Sequence, residues 1–168
     1  LALSAAGETS SGDQADSPCD GLVESIHQPI TPEERESVRQ ELNEARERWR
    51  EASMDDYSFD MRRTVWTHGR IPFMAVTVRA GEVQLVTSIS GGDTIFAAAD
   101  DDGVAELWKW VLVKQLFEFI AGEIDTAQRV HATFDPELGD PTSVGIDADV
   151  CTFDDEIGIE LEGLVAAP

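Results

Sequence analysis

The sequence predicts an α+β fold: two helices packed on an antiparallel sheet of about six or seven strands, in the order α-β3(4)-α-β3. Three observations carry this. Val130, Ala132 and Phe134 alternate with Arg129, His131 and Thr133, and Ile157, Ile159 and Leu161 alternate with Gly158, Glu160 and Glu162, which is the period-2 pattern of strands buried on one side. Val38, Leu42, Ala45 and Trp49 recur instead at helical spacing, so they form one apolar stripe on an otherwise Glu/Arg-rich helix. Between two strand-rich blocks lies the longest apolar tract, Val104 to Ile120. Its Glu106, Lys109, Lys114, Gln115 and Glu118 make it too polar for a membrane span, and it reads as a buried second helix.

Residues 1–28 are rich in Ser, Gly, Asp and Ala without periodicity and read as a flexible arm or tether, ahead of a single α+β domain over 29–168. Thr31-Pro32-Glu33-Glu34 combines an N-cap, a proline at the first helical position and a glutamate at the third, which places a helix start there and its end near Glu51. Strands are expected at about 57–67, 72–79 and 82–89, with Ala80-Gly81 closing the hairpin between the last two. Gly91-Gly92-Asp93 interrupts the meander, and Ile95 to Ala99 adds a short edge strand. Asp100-Asp101-Asp102-Gly103 leads into the second helix, where acidic residues suit an N-terminus, and Gly122 is the expected C-terminal cap. In the final block, Asp135-Pro136 and Gly139-Asp140-Pro141 supply turn chemistry, with Asp135 organising its turn through a side-chain oxygen. The layout suggests a structural pseudo-repeat of roughly 70 residues without visible sequence identity between halves.

The formal net charge is −22, from 34 acidic against 12 basic residues. Nine of the basic residues precede residue 85 and 18 of the acidic ones follow it, so the C-terminal half is the more electronegative. Phosphate binding depends on clustered Lys and Arg, so nucleic acid is excluded as a partner and an anionic membrane surface is disfavoured. Such acidity maintains solubility in a saline setting; the sharper alternative is a cation site or a basic partner.

Catalytic motifs are missing. His27, His68 and His131 have no metal-ligand spacing, and the chain contains no G-x-S-x-G, S-x-x-K, phosphate-binding loop or dinucleotide fingerprint. The candidate binding or cation residues are Asp135, Asp147, Asp149, Asp154, Asp155 and Glu156, which crowd the loops of the last three strands. Converging carboxylates would bind a hard cation such as calcium. Asp147-Ala148-Asp149 begins like a calcium loop, but Thr152 stands where the loop needs glycine and Gly158 where it needs glutamate. Trp66, Trp108 and Trp110 are assigned to the core, with an aromatic ligand site as the alternative should Trp66 or Trp110 lie on the open sheet face.

Trp49, Tyr57-Ser58-Phe59, Val76-Thr77-Val78-Arg79-Ala80-Gly81-Glu82-Val83, Leu116-Phe117 with Ile120, Asp135 to Asp147, and Asp154-Asp155-Glu156 follow one another in a recognisable order. Together they resemble an uncharacterised bacterial family of exported proteins, often lipoproteins, known only as a domain of unknown function; the resemblance spans roughly residues 38–164. Asp140 replaces the usual tyrosine, and Arg63-Thr64-Val65-Trp66 lacks the C-x-C often found there. The resemblance implies export and a fold, but no reaction. The helix-plus-sheet layout is also similar to that of secreted β-lactamase-inhibitory proteins, which grip a partner on a concave sheet face.

Export implies a secreted, periplasmic or envelope location. Leu1-Ala2-Leu3-Ser4-Ala5-Ala6-Gly7 reads either as a signal-peptide tail or as a chain boundary. Cys19 and Cys151 are then expected to form a disulfide tying the arm to the last hairpin, with two free thiols as the alternative. The favoured function is a non-enzymatic module binding an unknown protein or small ligand. The rival is a metal-dependent hydrolase or calcium-binding protein using the acidic residues near 135–156; a pocket joining Asp135, Asp147 and Asp155 would favour it.

Overall fold

The computed structural model describes residues 28–65, 69–70, 73–89, 94–97, 111–152 and 155–167. Their order is α1 (Pro32–Ala52), β1 (Tyr57–Val65), β2 (Gly69–Arg70), β3 (Met74–Arg79), β4 (Glu82–Ser88), β5 (Thr94–Ala97), α2 (Val113–Glu123), β6 (Arg129–Phe134), β7 (Pro141–Asp147) and β8 (Ile157–Ala166). This is the α+β architecture expected from the sequence. The strands form one antiparallel sheet in the order β5-β4-β3-β1-β8-β7-β6, with the two-residue β2 pairing beside β1. Each half lays its strands down in the same direction across the sheet, and β1 meets β8 where the halves join.

The start of α1 is fixed by the capping box. The Thr31 amide donates to Glu34 Oε2 at 2.9 Å and the Glu34 amide to Thr31 Oγ1 at 3.2 Å, which satisfies two otherwise unpaired donors. The Thr31 backbone donor also holds the Glu34 carboxyl below its ordinary range. Leu42 and Ala45 are fully buried along the stripe, with Val38 and Trp49 packed against the core. Trp49 meets Tyr57 edge-on at 5.3 Å between ring centroids, and Tyr57 stacks on Phe59 at 5.9 Å, so the helix end is keyed to the first strand by aromatic contacts.

The second helix differs from the sequence reading. Leu112 has extended backbone angles and α2 begins at Val113, so the apolar tract does not continue as helix through Val111 and Leu112; residues 98–110 lie outside the described set. Leu112 offers no side-chain acceptor, and two other groups serve this end. Gln115 Oε1 accepts from the Leu112 amide at 3.2 Å, and the buried Tyr57 hydroxyl accepts from the Val113 amide. Burial is the main reason the Tyr57 hydroxyl pKa is pushed up to about 12. Gly122 is not the C-terminal cap either: the helix runs through it to Glu123 and ends at Ile124 in a right-handed conformation. Arg35 closes that end from α1, donating to the Ile124 carbonyl and, at 3.0 Å, to the Ala127 carbonyl.

One face of the sheet contributes the core. Tyr57, Phe59 and Met61 of β1, Met74, Val76 and Val78 of β3, Val144 and Ile146 of β7, and Ile159 and Leu161 of β8 all pack in one cluster with Leu116, Phe117 and Ile120 of α2. By alternation, Ser58, Asp60, Arg62, Thr64, Gly145, Gly158, Glu160 and His131 project to the other face. That face is polar. Arg62 pairs with Glu160 across β1 and β8, and its guanidinium lies 4.7 Å from the Phe73 ring centroid. His27, His68, Trp66, Trp108 and Trp110 lie outside the described residues.

Candidate functional site

The acidic candidates separate into two groups at opposite ends of the β6–β7 hairpin. Asp135 and Asp140 sit in its turn, whereas Asp147 ends β7 six ladder positions away, about 20 Å at strand spacing. At that separation Asp135 and Asp147 do not share one site among the described residues. Sequence adjacency misled because a hairpin sends its turn and its open end in opposite directions.

At the turn, Asp135 Oδ1 accepts from the Glu137 amide at 2.8 Å and the Leu138 amide at 2.7 Å, the turn-organising role expected of it. Gly139, at φ +85°, packs directly on α1: a Cβ there would lie 2.3 Å from the Ala45 carbonyl oxygen. Asp140 is 4% exposed, and no donor among the described residues reaches its Oδ1. Burial first, and the neighbouring Asp135 charge second, push its pKa up to about 6.

At the far end, the loop after β7 is tied within itself and to Gln128, whose Oε1 accepts from the Val150 amide at 3.2 Å. Asp149 Oδ1 accepts from the Cys151 amide at 3.1 Å and its Oδ2 from the Thr152 hydroxyl at 3.0 Å, while the Asp149 amide donates to Asp155 Oδ2 at 2.9 Å. These bonds give Asp149 a loop-building role. Asp147, Asp155 and Glu156 are left with spare capacity: Asp147 Oδ1, Asp155 Oδ1 and Glu156 Oε2 are all covered, and no donor among the described residues reaches them. Asp147 is only 8% exposed, and burial, then Asp155 and Glu156, raise its pKa against the opposing pull of Arg129. The β7–β8 ladder ends at the Ile146–Ile157 pair, with Glu156 just before β8 and close enough to act on Asp147, while Arg129 is the ladder partner of Asp147 on β6. Asp154 and Cys19 lie outside the described residues; Cys151 sits half-buried in the loop. Among the described residues no group of three His, Cys, Asp or Glu side chains is arranged to hold a metal ion.

Next to these carboxylates, sequence reasoning missed a pair of glycines. Gly145 of β7 and Gly158 of β8 are direct cross-strand partners, and both lie on the polar face between His131 and Thr64. The only signal was that Gly145 and Gly158 interrupt otherwise regular strands. A separate groove of about 500 Å³ lies at the outer edge of β6, lined by residues including Ile30, Glu34, Val38, Arg129 and His131. Asp147, Asp155 and Glu156 are not among the residues that line it.

Residues 41–166, three quarters of the chain, match a family described only as a family of unknown function, DUF6174. The chain belongs to DUF6174. No curated protein and no solved structure matches it. Membership agrees with the expectation of an uncharacterised family and assigns the DUF6174 domain no reaction. Among its described residues no helix is long and apolar enough to cross a membrane.

Proposed function

We propose that this DUF6174 domain is a non-enzymatic binding module of an exported protein, holding a basic partner on the sheet face opposite the helices. The observation that carries this reading is the asymmetry of the sheet. One face is filled by α1, α2 and a continuous apolar core, whereas the other presents polar side chains, and at its β7–β8 end three covered carboxylate oxygens have no donor among the described residues. Unpaired buried carboxylates are costly, and a cationic partner would offset that cost. The overall charge of −22 would speed the encounter with such a partner through long-range steering.

A comparison of matched charge reversals tests the proposal. Glu156→Lys with Glu162→Lys alters the proposed face, and Glu44→Lys with Glu51→Lys makes the same charge change on the exposed side of α1. With an arginine-rich nonapeptide as probe near physiological ionic strength, the first pair should weaken binding far more than the second. Equal weakening would mean that the probe senses only net charge, and would overturn the reading.

A further inference from the structure

We infer that the Gly145–Gly158 pair is the floor of a binding site for an arginine side chain presented by a partner protein, with Asp147 and Glu156 as the carboxylates that receive the guanidinium. The inference deepens the proposed binding role and rests on it.

The starting point is that nothing in the fold asks for glycine at either position. Neither residue has the positive φ seen at Gly81, Gly139 and Gly163. An added Cβ would meet only ordinary contacts, His131 Cβ at 4.0 Å from position 145 and Thr64 Cβ at 3.5 Å from position 158. Glycine in a strand interior forfeits side-chain packing and carries the largest unfolded-state entropy, so two of them in register on adjacent central strands weaken the sheet. What they provide is space: two neighbouring positions where a ligand can lie flat on the peptide planes, walled by His131 and Thr64 along the row.

The second observation is independent of the glycines. Asp147 lies two residues along β7 on the same face and is 8% exposed, yet no donor among the described residues reaches its Oδ1. Glu156, the residue before β8, is near enough to act on the Asp147 carboxyl, and its Oε2 is in the same condition. Arg129, the ladder partner of Asp147, offsets part of that charge and also donates to the Gln28 carbonyl at 3.1 Å, while burial with Asp155 and Glu156 outweighs it at Asp147. The floor is thus bordered by buried negative charge that still has capacity for donors.

Shape and donor geometry select the occupant. Among the described residues these carboxylates form no group of three arranged to hold a metal ion, so a ligand that brings its own fan of donors suits them better than a point charge. An ammonium group is compact and strongly hydrated. A guanidinium is planar, weakly hydrated and carries a fork of donors wide enough to serve two carboxylates at once. It can stack on bare peptide planes where any side chain would obstruct it.

The test is an NMR titration of the isotopically labelled chain with an acetylated Gly-Gly-Arg-Gly-Gly amide, against the same peptide carrying citrulline or lysine. Saturable shifts should centre on Gly145, Gly158, His131 and Asp147 with the arginine peptide, be weaker with lysine, and be absent with citrulline, which keeps the shape but not the charge. Affinity should fall about tenfold or more in Gly158→Val and in Asp147→Asn. Gly158→Ala, which adds one methyl at ordinary contact distance, serves as the milder variant should valine disturb the strand. Shifts scattered over the acidic surface, lysine binding as well as arginine, or unchanged affinity in the glycine variants would overturn the site, while the matched charge reversals could still favour the broader binding face.

Discussion

Asp140→Asn should stabilise this domain at neutral pH, and the magnitude follows from the carboxyl's surroundings. Asp140 is 4% exposed, no donor among the described residues reaches its Oδ1, and its pKa is raised to about 6 from an ordinary value of 3.8. Because the folded-state value is the higher one, folding is favoured when the group is protonated. That contribution is fully present below the unfolded pKa and is lost as pH rises through about 6. The rise from 3.8 to about 6 corresponds to a ceiling of about 3 kcal/mol. Pro136 and Glu137 of the same turn are exposed, so water is close and screening reduces the expected effect to about 1–2 kcal/mol. For a domain of this size that is a rise in Tm of about 2–8 °C. Thermal denaturation of both proteins at pH 7.5 and at pH 4.5 is the assay, with the variant's advantage large at the first and much smaller at the second. A variant that is less stable at pH 7.5, or whose advantage does not depend on pH, would refute the argument and imply that Asp140 has an ion partner.

The remaining expectations concern the turn, the cysteines and the surface charge. Gly139→Ala should destabilise by about 3 kcal/mol or more, because a Cβ 2.3 Å from the Ala45 carbonyl forces the hairpin off α1 on top of the strain at φ +85°; an unchanged urea midpoint would contradict the packing. Cys19 and Cys151 are proposed to be joined, so titration of denatured, unreduced protein should find no thiol, and two equivalents would end that proposal. Tm should rise with sodium chloride as like charges are screened, and calcium chloride at matched ionic strength should give the same curve. A saturable calcium-specific rise that disappears in Asp147→Asn or Asp155→Asn would instead establish a cation site.

Much of the fold was legible because its signals are local. Val38, Leu42, Ala45 and Trp49 mark one face of α1, and Thr31 with Glu34 marks its start, each through contacts within a few residues. The alternation around Ile159 and around Val76 likewise needs no knowledge of the partner strand. The start of α2 was not legible, because Tyr57 reaches it from β1 and no local residue signals that contact. The acidic cluster was half legible. Asp147, Asp155 and Glu156 do lie together, but Asp135 belongs to the other end of a hairpin, which composition cannot reveal. The paired glycines were invisible for the same reason, since their meaning depends on the register between β7 and β8.

The central claim is that the polar sheet face opposite α1 and α2, at Gly145 and Gly158, is where this DUF6174 domain meets its partner. A crystal structure of the chain with the arginine pentapeptide tests it most directly. The account predicts the guanidinium in van der Waals contact with both glycine backbones and hydrogen-bonded to Asp147 and Glu156. A guanidinium seated on the acidic side of α1, or in the groove beside Ile30 and Val38, would contradict it.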